Sequence, residues 1–343
     1  MRYYGNKTKL LPFIEKVVNA NEYAEGSSFV DLFAGTNSVG IHFKNLGFDV
    51  VSNDIMEYSY SIARTYIELN QEPSFARLKD LLHCDTLEQI IDSLNTISPQ
   101  IHGFIYNHYC PHSGRMYFTD ENALKIDTIR TFIHDWHQHN IISDNEYYYL
   151  LTSLLEAVNL ISNVSGTYAA YLKTWDKRAL KPIRLKPLNL VKGIQGTAYK
   201  QDANTLVANI SADILYLDPP YNSRQYHSNY FILELIATGW FECEPIISGH
   251  CGMVDYQNLK SNYGMTIKAY QSLANLIENV HNIRTIVMSY NNEGILSKDE
   301  IVEILSKKGD VQVFQHTHKR YKSINQTERS PKQTIEYLFK TTL

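Results

Sequence analysis

No stretch of this chain approaches the roughly 20 consecutive apolar residues needed to cross a bilayer. Its first residues, MRYYGNKTKLL, lack the apolar core of a secretory signal. Cysteine is scarce: Cys84, Cys110, Cys243 and Cys251 are the four among 343 residues, and none are spaced as C-x-x-C. That argues against a disulfide framework and suits a reducing compartment. Grouping Cys243, His250 and Cys251 with His112 matches no common zinc spacing, so no metal is expected. Positive charge is not in excess either. The formal net charge is -4, so a polyanionic partner would have to be met by local patches. The expectation is a soluble, cytoplasmic protein with no membrane partner, long enough for one large or two small domains.

What is present is an alternation of strand and helix signals. Ser28-Phe-Val-Asp-Leu-Phe33 reads as a strand, Ala34-Gly-Thr-Asn37 as a tight turn, and Ser38 to Leu46 as an amphipathic helix. Phe48 to Asp54 reads as a second strand, the start of a doubly wound α/β sheet. Residues 57–69 look helical. From about residue 76 the pattern changes: Thr119-Asp120 can cap one helix, and Ser143-Asp-Asn-Glu146 is a capping box before a long apolar helix ending near Ile161. Strand signals return at Thr197 to Gln201, Asp213 to Leu217 and Arg284 to Tyr290. Val311 to Lys319 and Thr334 to Thr341 read as an antiparallel pair. The sheet domain is thus expected to be split, 1–75 and 196–343, around a largely helical insertion at 76–195.

In open α/β sheets a ligand sits beyond the carboxyl ends of the strands, where turn glycines let it approach the backbone. Asp31-Leu-Phe-Ala-Gly-Thr-Asn-Ser-Val-Gly40 is such a turn, but Asn37 stands where the dinucleotide fingerprint would have a glycine. Asparagine tolerates the left-handed conformation, so the turn remains feasible. Without a full glycine cradle, a nucleoside with little phosphate fits better than a dinucleotide. Asp54 is placed either to accept hydrogen bonds from a ribose diol or to cap the helix that follows.

On the other side, Tyr216-Leu-Asp-Pro-Pro-Tyr-Asn222 ends a buried strand on an acid and two prolines, neither of which can donate to a ladder. Asp218 would face the same crevice and accept a hydrogen bond from an exocyclic amine. Pro219 and Pro220 would aim the carbonyl between them, and Tyr221 offers a flat stacking face. Two acceptors and a ring suit an amino-bearing planar base. The plainer reading is a proline turn at a strand end.

Taken together, Arg2 to Leu11, Phe29-Val-Asp-Leu-Phe-Ala-Gly35, Ser52-Asn-Asp54, Gly114 to Asp127, Asn163 to Lys173 and Leu217 to Tyr226 resemble motifs of one family. It is the D12 class of Dam-like, AdoMet-dependent DNA adenine-N6 methyltransferases, and within it the FokI-type modification methylases. The resemblance implies a Rossmann-like AdoMet-dependent methyltransferase sheet with an inserted helical target-recognition domain. It also implies S-adenosyl-L-methionine as cofactor and double-stranded DNA as substrate, with a cognate restriction endonuclease acting separately. Tyr3 and Lys7 would reach AdoMet; Asp31, Phe33 and Gly35 would line its pocket, Asp54 would hold the ribose, and Asp202 would contact the adenine. Because Asp202 shortly precedes Asp218, the insertion falls before that pair, unlike the Dam arrangement, and Dam's recognition residues do not transfer.

DNA contacts need positive charge. Lys173, Lys177, Arg178, Lys181, Arg184, Lys186 and Lys192 face a single acid, Asp176, over that stretch, so phosphate binding is weighed against an ordinary solvated face. Arg224, just past Tyr221, would meet the strand carrying the flipped base. Residues 107–115 and the stretch 316–322 are lesser candidates. Adenine in RNA, cytosine-N4 transfer and a catalytically silent nucleic-acid-binding subunit are the rival readings.

Overall fold

The computed structural model describes residues 6–255, 260–319 and 333–343. In chain order the strands are β1 (Ser28–Asp31), β2 (Asp49–Asn53), β3 (Thr197–Tyr199), β4 (Ser211–Leu217), β5 (Ile247–Ser248), β6 (Met253–Val254), β7 (Asn282–Asn291), β8 (Val311–Lys319) and β9 (Gln333–Thr342). The helices are α1 (Leu11–Val18), α2 (Ser38–Asn45), α3 (Glu57–Tyr66), α4 (Ala76–Leu82), α5 (Leu87–Thr96), α6 (Phe104–Tyr109), α7 (Asp120–Gln138), α8 (Asp144–Ile161), α9 (Ala203–Val207), α10 (Tyr226–Thr238), α11 (Ala269–Glu278) and α12 (Lys298–Leu305). None of the described helices is long and apolar enough to cross a membrane.

The chain forms two compact units. The first, built from Lys7–Ile55, Gly193–Tyr226 and Lys260–Leu343, carries seven strands in the order β3-β2-β1-β4-β7-β9-β8. All neighbours are parallel except β9, which runs antiparallel to both β7 and β8. The central strands are apolar on both faces because helices cover both. Phe29 of β1 stacks on Phe43 of α2 at 3.9 Å. Val30, Leu215, Leu217, Ile286 and Met288 share a core with Leu273 and Leu276 of α11 and Ile301 and Ile304 of α12. This is a Rossmann-like, doubly wound methyltransferase sheet. The Val311–Lys319 strand pairs antiparallel with β9, as the sequence leads one to expect.

The second unit is helical and comprises Met56–Lys192 with residues 227–255. Thr119 caps α7 by accepting from the amide of Asn122, and Ser143 and Glu146 form the capping box of α8. The unit takes in α3 and α10 as well as 76–192. Thr65 of α3 bonds Thr152 of α8 at 2.9 Å, and Glu234 of α10 accepts from the amides of Glu57 and Tyr58 at 2.9 and 3.1 Å. Buried Arg130 of α7 donates to the carbonyls of Ile236 and Ala237, capping the end of α10.

The basic stretch after Tyr171 has no regular structure, yet its backbone is held. Asn163, Asn122 and Asn95 bracket it in turn: Asn163 donates to Leu172, Asn122 to Lys181, and Asn95 to Leu185. Ala179, Ile183, Leu185 and Leu188 turn inward. Lys173, Lys177, Lys181, Arg184, Lys186 and Lys192 are left exposed.

Candidate active site

The sheet reverses its strand order between β1 and β4, which makes their carboxyl ends the place where a ligand can enter. After β1 the chain turns through Gly35 at φ 52° and Asn37 at φ 59°, both left-handed. Asn37 manages this because its buried side chain accepts a hydrogen bond from Ser52, tying the turn to β2. Asp54 accepts from the Gly35 amide at 2.8 Å. Asn53 ties three strand ends together, donating to Leu32 and Gln201 carbonyls at 3.1 Å each and accepting from the Gln201 amide.

Asp31 is buried; its Oδ2 accepts from Gly40 at 3.1 Å, and Oδ1 has no partner among the described residues. Burial, helped by the charges of Asp218 and Asp54 and opposed by the Gly40 amide, pushes its pKa up to about 8. Phe33 lies edge-on to Tyr263 at 5.2 Å. Asp202 is exposed and caps the short helix α9, accepting from the Thr205 amide at 3.1 Å.

Asp218 follows β4. The turn beyond it is braced rather than loose. Ile295 donates to the Tyr221 carbonyl at 2.8 Å, and Gln225 exchanges hydrogen bonds with the backbone of Ser261 on both sides. Gly294 allows the Tyr290 ring its position, since a Cβ there would stand 2.1 Å from that ring. Pro219 and Tyr221 are buried, Pro220 is half-buried and Arg224 is exposed. Tyr221 is only 6% exposed, with Tyr290 at its edge and the Lys7 ammonium 5.7 Å from its centroid.

Lys7 is buried beside Asp218, with Nζ 3.2 Å from Oδ1, and pairs on its other side with Glu336 of β9. Ser289 of β7 donates to the same Glu336 oxygen at 2.7 Å. Burial, the largest single influence, pulls the Lys7 pKa down, but the two carboxylates outweigh it and hold it well above the ordinary value. Burial raises Asp218 to about 6; Lys7 opposes that rise and Glu336 adds to it. A half-buried acid, a buried cation and a buried second acid therefore form one charge chain at the end of β4.

Lys7, Asp31, Phe33, Gly35, Asp54, Asp202, Asp218, Pro219, Pro220 and Tyr221 all belong to the sheet unit. Tyr3 lies outside the described residues, as do positions 320–322 of the second basic stretch. In the helical unit, Lys173, Lys177, Lys181 and Arg184 are exposed, but Arg178 is drawn into a salt bridge with Asp176. Glu336 and Ser289 were not anticipated. The available signal was an acid facing inward in the alternating pattern of β9. Among the described residues no three His, Cys, Asp or Glu side chains converge as a metal site.

With this sheet and site in view, the class is that of Rossmann-like methyltransferases. The chain belongs to the D12 class of N6 adenine-specific DNA methyltransferases, whose family pattern matches residues 3–304. It is 39% identical over 349 residues to the modification methylase StsI of Streptococcus sanguinis, covering 99% of this chain and 51% of that protein. Against the type II methyltransferase M.FokI of Planomicrobium okeanokoites it is 39% identical, covering 99% and 52%. Against M.NlaIII of Neisseria lactamica it is 37% identical, covering 98% of both chains. The chain thus spans about half the length of the first two relatives and nearly all of the third.

Proposed function

We propose that this protein transfers a methyl group from S-adenosyl-L-methionine to the N6 of an adenine in double-stranded DNA, at one short site. It would be the cytoplasmic modification enzyme of a restriction-modification system, with a restriction endonuclease acting separately. The observation that supports the reading is the half-buried Asp218, at the switch point of the sheet and paired with Lys7.

The residues fit the cofactor. The left-handed turn at Gly35 and Asn37 brings the backbone close to the crevice, Asp54 edges it, and the partnerless Oδ1 of Asp31 fits a donor such as an ammonium. Asp31, Phe33, Gly35, Asp54 and Asp202 would hold AdoMet, with Tyr3 and Lys7 contributing from the N-terminal motif. When bound, AdoMet supplies the electrophilic methyl.

The target N6 is hidden inside a duplex, so the nucleotide must be turned out at a cost of a few kcal/mol. Asp218 and the Pro219 carbonyl would accept the two N6 hydrogens, drawing the nitrogen toward a pyramidal form. As positive charge develops on nitrogen, the Asp218 carboxylate stabilises it and then receives the proton. The adenine amine is far too weak an acid to be ionised beforehand. Tyr221 would stack on the base, worth roughly 1–3 kcal/mol. Since that ring is 6% exposed, base entry has to displace part of its cover. Lys173, Lys177, Lys181 and Arg184 of the helical unit would meet phosphates, and Arg224 the flipped strand; residues 76–195 would supply target recognition.

Sequencing the DNA of cells that express the protein, with a readout of modified adenines, tests this. N6-methyladenine at one motif, lost with Asp218→Ala, is expected. Unmodified DNA from a protein that binds AdoMet would overturn the DNA reading, and modified RNA in its place would establish the RNA rival.

A further inference from the structure

The strands β5 and β6 form a small hairpin of the helical unit, pairing Ile247 with Val254 and Ser248 with Met253. Its turn is Gly249-His250-Cys251-Gly252, with both glycines at positive φ and the Gly252 amide bonded to the Gly249 carbonyl at 3.1 Å. A turn this exposed can leave its carbonyls to water. Here they are taken by side chains instead.

Arg115 donates through Nε to the His250 carbonyl at 3.0 Å and through Nη2 to that of Gly249 at 3.4 Å, while Nη1 holds the carbonyl of His108 at 3.1 Å. The buried Tyr109 donates to the Gly252 carbonyl at 2.7 Å; the Tyr117 hydroxyl lies 3.3 Å from the Cys251 carbonyl but is closer, at 2.9 Å, to the carbonyl of Tyr168. Gly252 favours glycine because its φ is 67°, and a Cβ there would also stand 2.8 Å from Arg115 Nε. Arg115 is therefore a strut for the turn, and its guanidinium is spent on backbone. What this bracing presents is the exposed imidazole of His250, whose Nε2 is bonded to the Tyr171 hydroxyl at 2.8 Å. Tyr171 is itself fixed edge-on to Tyr117 at 5.1 Å and stands two residues before Lys173, where the exposed basic stretch begins.

We infer that the 249–252 turn is a base-reading element, with His250 as the residue that discriminates the target sequence and Tyr171 as its positioning residue. This rests on the DNA reading proposed above. Specific recognition needs side chains held rigidly at the surface, because ordering them on binding would cancel the gain. The exposed half of this turn, Gly249 and His250, is anchored through its carbonyls to Arg115, and the buried Gly252 to Tyr109, which meets that need. With Nε2 held by Tyr171, the imidazole offers Nδ1 to a base edge in one fixed orientation. The neighbouring lysines supply affinity for any phosphate backbone, and the turn supplies the choice among sequences.

The test is the ratio of dissociation constants for a scrambled duplex and for the methylated site, measured by anisotropy with full-length protein. Wild type, His250→Ala and Tyr171→Phe are compared, with AdoMet binding as a control of the cofactor side. His250→Ala should lower the ratio about tenfold through the site duplex alone, leaving scrambled-duplex and AdoMet affinities unchanged. Tyr171→Phe, which keeps the ring, should lower it in the same direction. A ratio unchanged in His250→Ala overturns the inference, whether both affinities hold or both fall together. Failure of the DNA reading would be seen separately, as a wild-type protein that methylates no duplex.

Discussion

Lys7 Nζ lies 3.2 Å from Asp218 Oδ1 and on its other side grips Glu336, a residue 329 positions away in the chain. One buried ammonium thus balances two carboxylates, buried Glu336 and half-buried Asp218, and the ionisation of Asp218 depends on both neighbours.

The first consequence concerns pH. In the proposed reaction Asp218 acts as a carboxylate, and burial pushes its pKa up to about 6, so the rate of methyl transfer should rise with pH through that value and then level off. Glu336→Gln keeps an acceptor for Lys7 and Ser289 but removes a negative charge. The acid limb should then move to lower pH, as single-turnover rates across that limb would reveal. An unmoved limb would mean that Glu336 does not set the ionisation of Asp218.

Lys7→Met leaves the buried Glu336 and the half-buried Asp218 without their cation. A loss of about 3–5 kcal/mol in unfolding free energy is expected near neutral pH. It should shrink as the pH falls, because protonation removes the repulsion. Urea unfolding at two pH values checks both the size and the trend.

Asp31 behaves in the opposite way from a salt-bridged acid. Its folded pKa of about 8 lies above the ordinary 3.8, so between those values the folded state holds a proton that the unfolded state releases. Wild-type stability should therefore lose ground steadily from pH about 4 to about 8. Asp31→Asn keeps the acceptor for the Gly40 amide and should flatten that slope in thermal unfolding.

In the basic stretch the residues should separate. Lys177→Ala or Lys181→Ala should weaken binding to any duplex and reduce the salt slope by about 1, as loss of one phosphate contact does. Arg178→Ala should change that slope less, because its guanidinium is already committed to Asp176. Titrations at several salt concentrations would distinguish them.

Much of this is legible in the sequence. The capping box at Ser143, the left-handed Asn37, the strand ending on Asp218 and the antiparallel strands near the C-terminus are all local signals, written in spacing and turn chemistry. The pairing of Lys7 with Glu336 was not, because neither residue's neighbours carry information about a partner across the sheet. The hairpin at 247–254 escaped for a different reason: two-residue strands have no periodicity, and the Gly249–Gly252 spacing alone is too common to read. Tyr221 looked like an open stacking face in sequence, whereas Tyr290 and Lys7 cover it. Arg178 looked like its lysine neighbours until Asp176 was seen to fold back on it.

The central claim is that Asp218 drives methylation of adenine N6 in DNA. Duplex DNA incubated with the protein and methyl-labelled AdoMet, then digested to nucleosides and read by mass spectrometry, tests it most directly. Labelled N6-methyldeoxyadenosine from wild type, and none from Asp218→Asn with AdoMet binding retained, is the expected result. Label on cytosine, or equal yields from the two proteins, would contradict it.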